Sequence, residues 1–108
     1  MFDSILFKVK KDKINRWRSW SLELMERKEE ATETIIEERE IFEGSFDFQV
    51  GEDLFVIMFG YSEEETLPAT EKEINITHKK VKKECLEFVS KTNSNYFLFD
   101  KNFNIKKS

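Results

Sequence analysis

Leu54-Phe55-Val56-Ile57-Met58-Phe59-Gly60-Tyr61 is the stretch from which the fold is read, because it is apolar on both alternating faces along its whole length. It is bounded by Gly51 and Asp53 before and by Ser62 to Glu65 after. So short a run, rich in β-branched and aromatic side chains, reads as a central strand rather than a core helix. A strand of this kind needs cover on two sides.

Just upstream the period is two, with Phe42, Gly44, Phe46, Phe48 and Val50 on one face and Ile41, Glu43, Ser45, Asp47 and Gln49 on the other. This predicts a strand over 40–50 with one wet face. Gly51-Glu52-Asp53 then joins the two strands as an antiparallel hairpin. Further back, Ile5, Phe7 and Val9 alternate with Leu6, Lys8 and Lys10 to give a first strand over 4–10. Ile14, Trp17, Ser21 and Leu24, flanked by Trp20 and Met25, recur at helical spacing behind Asp12, the expected N-cap. The periodicity runs on through Ala31 and Ile35, but one helix over 12–38 would be about 40 Å long, too long for a compact domain of this size. A break is therefore expected between Glu26 and Glu30.

Downstream, Ser62 to Glu73 is acidic and carries the only proline, Pro68, which marks a loop. Ile74, His78, Val81, Cys85 and Phe88 form the stripe of a last helix, capped by Asn75 and ending near Lys91. Asn93-Ser94-Asn95 reads as a turn and Tyr96 to Phe99 as a final strand, with Phe103 and Ile105 extending the pairing. The order strand, helix, strand, strand, helix, strand is that of an α+β ferredoxin-like βαββαβ plait, a four-stranded antiparallel sheet with both crossovers on one face. The whole chain, 1–108, makes one such domain. Eight of the eleven phenylalanines lie on predicted strands, and a second copy packing sheet on sheet would cover the face the helices leave open. Lys8, Lys10, Glu43 and Asp47 are the charges such a homodimer must accommodate.

Composition narrows the functions. With 39% hydrophobic and 37% charged residues the chain lies outside the disordered class. A net charge of -4 and a pI near 5.2 speak against nucleic acid, whose binding needs many cations against phosphates. No run reaches membrane-spanning length and no secretion signal is visible, so a cytoplasmic location is expected. One cysteine and one histidine exclude an intrachain disulfide and a protein-only zinc site. Three glycines form neither a phosphate loop nor a nucleophile elbow.

The element order, the split first helix ending in Glu37-Glu38-Arg39-Glu40 before Phe42-Glu43-Gly44-Ser45-Phe46, and the start Asn75-Ile76-Thr77-His78-Lys79 of the last helix resemble the dimeric α+β-barrel superfamily. More narrowly, the chain resembles that superfamily's small single-domain families of unknown function. The resemblance implies a homodimer with a cleft between helices and sheet. Activities in the superfamily run from antibiotic and heme monooxygenases to isomerases and simple binders, and fold alone does not choose among them. Its heme-degrading members carry a histidine early in this helix, an asparagine from the first strand and a tryptophan near the cleft. Here His78 corresponds, but Ser4-Ile5-Leu6-Phe7-Lys8 offers no asparagine and both tryptophans fall on the first helix. No cofactor is expected, and heme enters only in the alternative reading.

His78 is the candidate catalytic residue. As a first-turn residue behind an Asn75 cap it would be kept neutral by the helix's positive end, able to accept a proton. The simpler reading is a core histidine with a hydrogen-bonded ring nitrogen. Tyr61, Trp17, Trp20, Arg39 and Glu43 are the candidate ligand-binding residues, although aromatics at the spacing of Trp17 and Trp20 more often fill a core. The run Lys79, Lys80, Lys82 and Lys83 and the acidic loop read as solvated surface. The expected function is a homodimeric binding domain whose helix/sheet cleft takes a small apolar or aromatic ligand. The alternative is a small cofactor-free or heme-dependent monooxygenase or isomerase using His78.

Overall fold

In the computed structural model, which describes residues 1–93, 95–98 and 100, the alternating and helical stretches resolve into β1 (Phe2–Val9), α1 (Ile14–Glu26), α2 (Lys28–Glu37), β2 (Phe42–Val50), β3 (Asp53–Tyr61), α3 (Glu73–Cys85) and β4 (Leu86–Lys91). The strands lie in the order β2-β3-β1-β4, each neighbouring pair antiparallel. The protein is thus α+β, with three helices and a four-stranded antiparallel open sheet among the described residues.

The hairpin is regular from Phe42↔Tyr61 to Val50↔Asp53. Gly51 begins its two-residue turn at φ 60, a conformation for which glycine has no Cβ penalty. The helical break falls at Arg27, whose guanidinium donates to Glu23 on α1, Glu30 on α2 and Glu73 on α3 at 2.6–3.1 Å. One side chain at the break therefore ties three helices together, although these pairs are exposed and each stabilises only slightly.

Trp17, Trp20, Ile74, Val81 and Cys85 from the helices close on Val9, Leu54, Val56 and Leu86 from the sheet to form the buried core. The opposite face is bare where Phe46 and Val50 stand 67% and 58% exposed. Lys8, on that face, finds its acid within the chain, 3.4 Å from Asp53. At the other end of the bare face, Phe97 stacks on Phe2 and Tyr61 and tilts against Phe42.

Three sequence expectations are corrected. Asp12 is not the cap of α1, because a 3-10 turn at Lys11–Lys13 intervenes and α1 follows Lys13 with no side-chain cap bond. Asn75 is not the cap of α3, which begins at Glu73. Its amide instead donates to the carbonyl and hydroxyl of Thr70, holding the preceding loop. Most consequentially, α3 stops at Cys85 and the chain turns straight into β4, so the last strand among the described residues is Leu86–Lys91, where a helix was expected. The residues pairing with Val9 and Phe7, Leu86 and Phe88, gain a ladder with β1 that the helical stripe could not offer, and tertiary pairing overrides the local pattern. Tyr96 to Leu98 form no strand. The expectations placed on Ser94, Phe99, Phe103 and Ile105 lie outside the described residues.

Candidate functional site

Alternation along β3 sends Leu54, Val56, Met58 and Gly60 toward the helices, so the buried face ends at a residue without a side chain. The register sets Asp3 of β1 and Glu43 of β2 on either side of Gly60. Glu40 leans over it from the α2–β2 corner, such that a Cβ on Gly60 would lie 3.5 Å from Glu40 Oε2. Three carboxyl groups thus gather around a bare patch of strand.

The corner that delivers Glu40 is a tight one. Arg39 adopts φ 65, while its N–H donates to Ile36 O and the N–H of Glu40 to Ile35 O, at 3.0 and 2.8 Å. This is the Schellman pattern, with a left-handed residue where glycine is usual. The Arg39 side chain points away to Glu64 at 3.7 Å.

Glu40 Oε2 is sealed from solvent and meets no hydrogen-bond partner among the described residues. Burial, then the hydrogen-bonding and charge of Glu43, then Glu38 and Asp3, push the Glu40 carboxyl up to about 8. Burial among other carboxyl groups disfavours the ionised form, so Glu40 keeps its proton near neutral pH. Glu38 is also raised, by burial first and then by Glu43 and Glu37.

His78 sits on the same side of the sheet, on the inward stripe of α3, and feels the charge of Glu43. With α3 starting at Glu73 it lies in the second turn, not the first. Burial, followed by Lys82, lowers it to about 4, with Glu43 opposing. Trp20 Nε1–H donates to His78 Nδ1 at 2.8 Å. An indole can only donate, so Nδ1 is the unprotonated nitrogen and the neutral ring carries its hydrogen on Nε2. His78 therefore offers an Nε2–H donor within the electrostatic reach of Glu43.

Of the residues anticipated for a site, His78 and Trp20 are hydrogen-bonded to each other, Glu43 reaches His78 through its charge, and Arg39 turns the α2–β2 corner. Trp17 is buried in the core. Tyr61 lies on the opposite face of the sheet, stacked on Phe42. Asp3, Glu40 and Gly60 were not anticipated, since only the strand register brings them into contact. Beside Glu40 a shallow depression of about 460 Å³ is lined by Ile36, Arg39, Glu40, Ile41, Glu63 and Glu64.

Fold and site define a small α+β domain with helices on one sheet face and a carboxyl-rich end to its helix/sheet junction. Residues 2–103 match the model of a family of unknown function, DUF6176, and the chain belongs to that family. No curated protein and no solved structure matches it. No helix among the described residues is long and apolar enough to cross a membrane.

Proposed function

We propose that this protein is a cytoplasmic, homodimeric small-ligand-binding domain with the ferredoxin-like plait of the dimeric α+β-barrel superfamily, its second copy covering the aromatic sheet face. The ligand enters at the Gly60 end of the helix/sheet junction, between the α2–β2 corner and α3. One observation carries this reading: Glu40 Oε2 is buried without a partner, above a strand residue that has no side chain. Buried polar atoms are nearly always satisfied, so such an oxygen suits a donor brought by a ligand. The polar group of the ligand faces Glu40, Glu43 and the His78 Nε2–H, while its apolar or aromatic body lies against the corner.

The test is amide NMR with a panel of small aromatic amides and alcohols. Shifts centred on Gly60, Glu43 and His78 support the site. Shifts confined to the Phe46 face contradict it.

A second reading, an isomerase working by proton transfer, is favoured by the Glu40 carboxyl near 8, a value suited to exchange at neutral pH. In that case Glu40 is the proton-carrying group and His78 a donor beside it. Heme does not fit this ring, because Trp20 holds Nδ1 as acceptor and leaves hydrogen on the nitrogen that would ligate iron. A hemin titration with no shifted Soret band agrees; a band lost in His78→Ala contradicts this assignment.

A further inference from the structure

The sheet ends on one side in β2, nine residues paired with β3 without a register break. Residues 43–50 make no backbone hydrogen bond other than to β3 among the described residues. Exposed edges are ordinarily guarded by lysine, proline, a bulge, shortness or inward-pointing charges, and of these β2 has only the charges, Glu43 and Asp47. The opposite edge, β4, is shorter at six residues, meets β1 through a register shift and carries Lys91.

We propose that β2 pairs antiparallel with β2 of a second copy, about a two-fold axis at Phe46. Length and charge together select this register, since only a two-fold at Phe46 pairs all nine residues of β2. The charges on β2 are Glu43 and Asp47, both on the helix-side face. Pairing about Ser45 would set Glu43 against Asp47, and pairing about Asp47 would set that residue against itself. Both arrangements oppose like charges, which destabilises a cross-strand pair. About Phe46, Glu43 meets Gln49 and Asp47 meets Ser45. On the aromatic face the same register sets Phe42 against Val50, Gly44 against Phe48, and Phe46 against itself.

The two-fold stands normal to the sheet, so the aromatic faces of both copies lie on one side. Edge pairing extends that face instead of hiding it, and is a contact separate from the sheet-on-sheet one proposed above. Two such pairs packed face to face make a four-chain assembly.

The test uses the helix-side face, which a sheet-on-sheet contact cannot bring together. Ser45 and Asp47 are both exposed, and directly opposed Cβ atoms lie about 4.5–5.5 Å apart, close enough to form a disulfide after a small adjustment. The native Cys85 is buried. Under mild oxidation an equimolar mixture of Ser45→Cys and Asp47→Cys proteins is expected to give a linked dimer several-fold faster than either alone. Equal rates, or no linked dimer in the mixture, would overturn the proposal. Gln49→Lys, which sets a lysine opposite Glu43 twice per contact, is expected to tighten self-association several-fold by sedimentation. Unchanged or weaker association, or a wild-type chain monomeric at every concentration, would also overturn it.

Discussion

The helix-covered face of this sheet has two ends made of opposite material. At one end Val9, Leu54, Val56, Val81 and Cys85 close almost completely, each 3% exposed or less. At the other, Gly60 withholds a side chain and Asp3, Glu40 and Glu43 occupy the space. The same helices serve both ends, and Trp20, in the core and bonded to His78, marks the border. Carboxyl groups brought together and partly desolvated cost stability unless a proton or a partner compensates them. A domain of this size loses stability at the polar end and regains it at the apolar end, a division that suits a binding site beside a rigid core.

The strongest way to break the comparison is to remove the border. Trp20→Ala is expected to lower unfolding free energy by about 3–5 kcal/mol in urea titrations, as for other large buried side chains. Trp20→Phe keeps most of the bulk but removes the N–H, so His78 is expected to titrate above its value of about 4 by NMR.

The next effect belongs to His78 itself. Its folded value, about 4, lies below the ordinary 6.5, so the neutral ring is the one the fold favours. The associated stability is present above pH 6.5 and is lost as pH falls toward 4, by about 2 kcal/mol once partial solvent access is allowed for. His78→Gln is expected to flatten that acid limb in denaturation curves.

Glu40 acts in the opposite direction. Its folded value is raised from 4.5 to about 8, so the protonated form is favoured, and its stabilising contribution is full below pH 4.5 and lost as pH rises through 8. Glu40→Gln is expected to remove the alkaline decline and to be more stable than wild type at pH 9 by about 1–2 kcal/mol, after discounting for screening of a half-buried group. Equal slopes in variant and wild type would detach the carboxyl end from the comparison.

The smallest effect sharpens how Glu40 is delivered. Arg39→Gly relieves a left-handed residue at the Schellman corner and is expected to stabilise by about 0.5–1 kcal/mol, with the Glu40 titration unmoved.

The hairpin and the helical break at Arg27 were legible because alternation and spacing are local signals. The end of α3 was not, since Phe88 fits the helical stripe and its pairing with Phe7 is visible only in three dimensions. The same limit governed the site. His78, Trp20 and Glu43 stood out by residue type and periodicity, whereas Asp3 and Gly60 lie at opposite ends of the hydrophobic pattern until the register of β1 and β3 makes them neighbours. Tyr61 was misplaced for a simpler reason: it alternates out of step with Leu54 and Val56, and whichever face they bury, it lies on the other.

The most direct measurement is a carboxyl-carbon NMR titration of the glutamates. Glu40 should titrate near pH 8 and move toward the ordinary 4.5 in Glu43→Gln. A wild-type Glu40 that already titrates near 4.5 would contradict a desolvated, proton-holding Glu40 at the Gly60 end, and with it the basis for placing a ligand there.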